Sequence, residues 1–153
     1  MSAPTSAARF AALYAALTAA HEVGDYWAQQ DADAVDKGKP GREGAAACLR
    51  HVAGYTATQA VAVAAVNRAF GLRLSWRRAA AGLALSAGTH YLADRCAGQW
   101  ADDSPTAPLV VRLAHGAGHS PWLTKDPAAG PLMDQAWHKG WIALAAAVAA
   151  GGR

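Results

Sequence analysis

Three long stretches of the chain contain no Asp, Glu, Lys, Arg or Pro and consist largely of alanine, at residues 52–67, 79–93 and 140–152. Alanine has the highest intrinsic helix propensity, whereas proline interrupts helices and occurs here only outside these stretches. No segment shows the alternation of apolar and polar residues that indicates a half-buried strand. The sequence therefore predicts an all-α fold, a helical bundle of four main helices.

The predicted organisation is a disordered leader at 1–7 followed by a single helical domain at 8–150. The main helices are expected at residues 8–30, 43–70, 76–100 and 131–150. The polar segment 31–44 is rich in Gly and Pro and is predicted as a loop. Residues 101–130 contain four prolines and are predicted as an irregular loop or lid, with one short helix near 108–115.

Membrane contact is left open by the composition. Only 16% of the residues are charged, below the ~25% of an average soluble domain. The alanine-rich stretches are nevertheless shorter than the about 20 apolar residues of a spanning helix. Five tryptophans lie near predicted helix ends, as interfacial anchors do. We expect an intracellular protein, with association with the cytoplasmic membrane slightly favoured over the cytoplasm. Residues 9–20 resemble a signal peptide, but a first helix fits better.

The basic charge gives little support to nucleic-acid binding. The formal net charge is +3, but the arginines are spread along the chain and form no dense run. No zinc-finger spacing and no aromatic RNA-binding motif is present. Nucleic acid is therefore an unlikely partner. Cys48 and Cys96 lack a CxxC partner and are predicted to be small buried side chains in a protein of a reducing compartment.

Histidine and aspartate occur four residues apart inside three of the apolar helices. The pairs are His21 with Asp25, His90 with Asp94, and Asp134 with His138. Residues at this spacing share one helix face. The number of His and Asp residues makes about 0.7 such pairs expected by chance. Three pairs on three different helices therefore indicate a shared interior site.

Imidazole and carboxylate groups are the ligands that Zn, Mn or Fe would use, and a cation offsets the cost of burying them together. The predicted metal ligands are His21, Asp25, His51, His90, Asp94, Asp134 and His138. They exceed the four ligands of one structural zinc, so we expect one or two divalent transition metal ions. Gln29, Tyr55 and Gln135 are predicted to orient the ligands. Lys37 is either a solvated loop lysine or a contact for an anionic substrate. His115 and His119 are expected in the loop or lid.

Four ordered blocks carry a family resemblance, namely "HEVGDYWAQQ" followed by a lysine, "LRHVAGYT", "THYLADR" and "MDQAWHKG". From about residue 17 to 142 the chain resembles a bacterial and phage family catalogued as domain of unknown function 3307. The resemblance implies a small helical, often membrane-embedded protein of a family without an established activity. The matching positions are His21, Asp25, Gln29, Lys37, His51, His90, Asp94, Asp134, Gln135 and His138. The pattern is also loosely similar to membrane-bound metal-dependent hydrolases, although this chain is shorter and less hydrophobic than both groups.

Three functions follow as hypotheses. The first is a metal-dependent hydrolase acting on a phosphoester, either a small molecule or a lipid, with Asp25, Asp94 and Asp134 as candidate catalytic carboxylates. The second is a non-enzymatic, membrane-associated or partner-binding protein whose metal holds the bundle together. The third is a small DNA-binding regulator, which lacks a recognisable helix-turn-helix.

Overall fold

The structure, a computed structural model, describes residues 4–151. Those residues form helices and turns and contain no strand, which confirms the predicted all-α fold. In chain order the helices are α1 (Ser6–Tyr26), α2 (Asp31–Asp36), α3 (Gly41–Phe70), α4 (Trp76–Asp94), α5 (Leu109–Ala114), α6 (Ser120–Lys125) and α7 (Ala129–Ala150). A π-helical turn, His115–His119, joins α5 to α6.

The long helices α1, α3, α4 and α7 form the bundle. Helix α4 packs on α7, α7 packs on α1, α1 packs on α3, and α3 packs on α4, which closes a ring of four helices. The prediction of four main helices is therefore confirmed. Each helix contributes its apolar stripe to one interior.

One end of this interior is apolar. It joins the first half of α1 to the second half of α7 through the buried side chains Leu13, Leu17, Val63, Ile142, Ala146, Ala149 and Ala150. Helices α4 and α7 approach closely here, since a Cβ on Gly82 would lie 2.6 Å from the carbonyl oxygen of Ala145. Small residues thus allow backbone contact where large side chains would hold the helices apart.

The segment after α4 folds over the other end of the bundle. Its own small core contains Cys96, Trp100, Ala107, Val111, Leu123 and Ala129. The ring of His115 joins this segment to itself, because one nitrogen lies 2.7 Å from Ser120 Oγ and the other 3.0 Å from the carbonyl oxygen of Trp100. Residues 101–130 are therefore more regular than the irregular loop predicted from their prolines.

Several predicted boundaries are wrong. The predicted loop 31–44 contains α2, whose first turn holds Asp31 and Asp33, and acidic residues stabilise a helix N-terminus. Helix α1 begins at Ser6, inside the predicted leader; residues 1–3 of that leader lie outside the described residues. The helices α1 and α4 end at Tyr26 and Asp94, several residues earlier than expected. Both ends turn the following chain toward the polar part of the bundle.

Within residues 4–151, no helix combines the length and the apolar character that a membrane crossing requires. The expectation of membrane association stays a prediction. Cys48 and Cys96 are free and buried, as expected, and burial raises the pKa of the Cys48 thiol to about 12 and that of Cys96 to about 11.

Candidate metal centre

The seven predicted ligands converge in the interior of the bundle. Helix α1 supplies His21 and Asp25, α3 supplies His51, α4 supplies His90 and Asp94, and α7 supplies Asp134 and His138. The spacing of four places each pair on the inward face of its helix. All of these side chains are buried except Asp134, which is 20% exposed. The tertiary structure therefore brings together every ligand that the sequence pattern proposed.

Four ligand atoms form a compact set that we call the inner group: Nε2 of His51, Nε2 of His90, Oδ1 of Asp25 and Oδ2 of Asp94. Asp94 Oδ2 lies 3.0 Å from His51 Nε2 and 3.1 Å from His90 Nε2. Asp25 Oδ1 lies 3.5 Å and 3.3 Å from the same two nitrogens, which are 2.9 Å apart. A tetrahedral ion with metal–ligand bonds of about 2.0–2.1 Å separates its ligand atoms by roughly 3.3–3.4 Å. The inner group therefore has the dimensions of a tetrahedral site with two nitrogen and two oxygen ligands.

Two oxygens of the inner group are left without hydrogen bonds. Asp25 Oδ1 and Asp94 Oδ2 are buried, and neither takes part in a hydrogen bond of acceptable geometry. Two neutral imidazole lone pairs 2.9 Å apart would also repel each other, so His51 Nε2 and His90 Nε2 need a positive species between them. A cation in the inner group would satisfy both requirements.

The electrostatics of the inner group keep the carboxylates charged. Burial by itself would raise the pKa of Asp94, but contact with His51 and His90 holds that pKa far below its usual range. For Asp25, burial raises the pKa, yet the contact with His51 and the nearby histidines lower it overall. Burial lowers the pKa of His90, whereas contact with Asp25 and Asp94 raises that of His51 despite its burial. Buried carboxylates beside neutral imidazoles are the electrostatic setting of a metal site.

A second set of atoms, the outer group, comprises His138 Nε2, Asp134 Oδ2 and Asp94 Oδ1. His138 Nε2 lies 3.2 Å from Asp134 Oδ2 and 3.8 Å from Asp94 Oδ1. It is buried and has no hydrogen-bond partner. The carboxylate of Asp94 therefore faces the inner group with one oxygen and the outer group with the other. Lys37 Nζ also lies 3.0 Å from Asp94 Oδ1.

His21 stands beside the inner group rather than in it. Its Nε2 atom lies 3.6 Å from Asp25 Oδ2 and 3.1 Å from the side-chain oxygen of Gln135. The predicted role of Gln135 as an orienting partner thus matches the geometry. Gln29 contacts no ligand and instead accepts a hydrogen bond of 2.9 Å from Lys37 Nζ.

Tyr55 supports the site in a way that its hydroxyl did not suggest. Its ring stacks on the ring of His90 with 3.8 Å between centroids. Its hydroxyl lies 2.7 Å from Ser86 Oγ and accepts a hydrogen bond from Gln59 at 2.7 Å. Burial raises the pKa of Tyr55, so the hydroxyl stays protonated. Sequence reasoning did not single out Gln59 and Ser86; the spacing of four between Tyr55 and Gln59 in an apolar helix was the available signal.

A cleft of about 520 Å³ opens beside the outer group. Asp25, Asp134 and Lys37 line it, and Asp94 does not. Its opposite wall comes from the segment predicted as a lid, through residues such as Leu123 and Pro127. The remaining lining residues are Tyr26, Gln29, Ala97, Gly98, Trp100, Ala101, Asp126, Gly130, Pro131 and Gln135. One side of the ligand cluster is therefore accessible to a small molecule.

No protein-family model matches the chain, and no curated protein or solved structure matches it either. The resemblance to domain of unknown function 3307 stays a prediction. His115 and His119 belong to the segment over the cleft, as expected, and neither is among the residues that converge on the ligand cluster.

Proposed function

We propose that the protein is a metal-dependent hydrolase whose substrate is a phosphoester. The observation that carries the proposal is the joining of two features: a buried His/Asp group with the dimensions of a cation site, and a cleft that reaches its edge. A purely structural metal site is closed, whereas a catalytic one keeps an accessible side. The resemblance to metal-dependent hydrolases with histidine and aspartate in helices agrees with this reaction class.

A divalent cation in the inner group would supply Lewis-acid activation of water and of a phosphoryl oxygen. The side chains around it then have separable tasks. Asp25 and Asp94 hold the cation, with His51 and His90 as the nitrogen ligands. Lys37 lies on the cleft wall, and two of its three N–H donors point to Asp94 and Gln29. The third remains for an anionic oxygen of the substrate.

Asp134 is the carboxylate best placed to accept a proton from water. It lines the cleft and is the most exposed of the three candidate carboxylates. His138 Nε2 lies 3.2 Å from its carboxylate and would hold it in position. Asp94, at 2% exposure and away from the cleft, has no access to a water molecule held with the substrate. The general base proposed is therefore Asp134.

The test begins with purified protein reconstituted with Zn²⁺, Mn²⁺ or Fe²⁺ and freed of unbound metal. We expect bound metal and hydrolysis of a nitrophenyl phosphomonoester or phosphodiester, measured by release of nitrophenol. His90→Ala should abolish both, while His119→Ala, which alters an exposed histidine outside the cluster, should leave both unchanged. Asp134→Asn should retain the metal and lower kcat by roughly 10²–10⁴-fold, with exposed Asp103→Asn as its control.

A second candidate, a cation that only stabilises the bundle, is favoured by the near-complete burial of the inner group. It predicts metal binding without turnover. Metal-loaded protein that hydrolyses neither phosphomonoesters nor phosphodiesters, including phospholipids in mixed micelles, would exclude the proposed hydrolase and leave the structural cation. Absence of bound transition metal after reconstitution would exclude both.

A further inference from the structure

The loop between α2 and α3 carries Lys37 into the ligand cluster. Its Nζ atom lies 3.0 Å from Asp94 Oδ1 and 2.9 Å from Gln29 Oε1, and the side chain is only 14% exposed. An ammonium group so placed faces the oxygen of Asp94 that the inner group does not use. Lys37 therefore acts on the outer group directly.

The backbone of this loop is held firmly against the end of α4. The Arg95 guanidinium donates a hydrogen bond to the carbonyl oxygen of Lys37, and the Gln99 amide donates one of 3.1 Å to that of Gly38. A Cβ on Gly38 would lie 2.1 Å from the carbonyl oxygen of Ala97, so only glycine permits this approach. The position of Lys37 is thus built into the fold rather than left to a free side chain.

We propose that Lys37 takes the place of a second metal ion, so that the centre binds one divalent cation in the inner group and the outer group is a latent second site. The outer group already has three ligand atoms within coordinating reach of one another: His138 Nε2, Asp134 Oδ2 and Asp94 Oδ1. The buried nitrogen of His138 lacks a hydrogen-bond partner. What opposes a cation there is the ammonium group beside Asp94.

Charge balance supports a single ion. Asp25, Asp94 and Asp134 carry three negative charges, and one divalent cation together with Lys37 supplies three positive charges. A second divalent cation would leave the buried cluster with an excess of two positive charges, which is costly away from water. Without the ammonium group, one cation would leave a charge of minus one, and the outer group would attract another.

The inference rests on the cation binding of the proposed function but not on its hydrolytic chemistry. The experiment compares Lys37→Met, Lys37→Arg and wild type, with Lys39→Met as the control; Lys39 is exposed and pairs with Asp36. Each protein is stripped with chelator, reconstituted with Zn²⁺ and desalted, and the bound zinc is measured by mass spectrometry. Reconstitution with Mn²⁺ adds a spectroscopic signature, because two adjacent Mn²⁺ ions give an exchange-coupled electron paramagnetic resonance spectrum.

We expect about one equivalent of zinc in wild type, Lys37→Arg and Lys39→Met, and about two equivalents, with an exchange-coupled Mn²⁺ spectrum, in Lys37→Met. Two equivalents in wild type would overturn the inference without any variant, as would one equivalent in folded Lys37→Met. If Lys37→Met does not fold, Lys37→Gln takes its place. One equivalent in wild type and two in the variant, without phosphoesterase activity in either, would sink the hydrolase and uphold the role of Lys37.

Discussion

The two ends of the four-helix interior solve the same packing problem with opposite chemistry. At the apolar end, Leu13, Leu17 and Ile142 are enclosed by small residues of α7, and no polar partner is needed. In the polar part, imidazole and carboxylate groups occupy positions of the same helices at equal burial. Burying apolar surface stabilises a fold unaided, whereas buried charge stabilises it only when it is compensated.

This contrast assigns different tasks to the two regions. The apolar end holds the helices in register whether or not a cation is present. The polar part depends on what neutralises it, since several of its buried atoms have no hydrogen-bond partner. A change at one end should therefore move stability without metal affinity, and a change in the other should couple the two.

The largest effect is expected from Asp94→Asn in chelator-treated protein. Removing one partner of a buried charge pair costs about 3–5 kcal/mol, here because His51, His90 and Lys37 would lose their shared carboxylate. Urea unfolding near pH 6 measures the loss. A difference below about 1 kcal/mol would mean that the polar part contributes little in the absence of metal.

The same pair of proteins has a definite pH dependence. Folding lowers the pKa of Asp94 from its ordinary value of 3.8. Its charged form therefore stabilises the fold above pH 3.8, and this contribution is lost as the pH falls further. The gap in unfolding free energy between wild type and Asp94→Asn should be constant above about pH 5 and narrow below 3.8. A gap that widens in acid would contradict this assignment.

At the apolar end, Leu17→Ala should reduce the free energy of unfolding by about 2–5 kcal/mol, because a fully buried side chain leaves a cavity. Zinc affinity of the folded protein, measured by competition with a chromophoric chelator, should change by less than about threefold. Val61→Ala, at a 70% exposed position of α3, is the control and should shift stability by no more than about 0.5 kcal/mol. A parallel loss of zinc affinity in Leu17→Ala would show that the two ends are coupled.

The smallest effect separates two glycines of α4. At Gly82 a Cβ would meet the carbonyl oxygen of Ala145 at 2.6 Å, whereas at Gly88 it would meet nothing within 4 Å. Gly82→Ala should therefore destabilise the bundle by about 1–3 kcal/mol, and Gly88→Ala should stabilise it by about 0.5–1 kcal/mol through helix propensity. Thermal unfolding of the two variants compares them directly. Equal shifts of the same sign would argue against backbone contact between α4 and α7.

Much of the molecule follows from the sequence alone, because local chemistry decides it. Alanine-rich stretches without proline can only be helices, and a spacing of four puts His90 and Asp94 on one face whatever surrounds them. The seven ligands and the partnership of Gln135 with His21 were accessible in this way. The resemblance in four ordered blocks pointed to the same positions.

Other features were decided only by the tertiary structure, because they depend on the distance between segments remote in the sequence. No local pattern shows that Asp25 and Asp94 meet around His51, or that Asp94 divides its oxygens between two groups. Nothing near Lys37 in the chain reveals that Arg95 and Gln99 hold its loop against α4. Spacing along a helix determines which residues can act together, but long-range packing determines which atoms they share, and with them the number of cations that the site can hold.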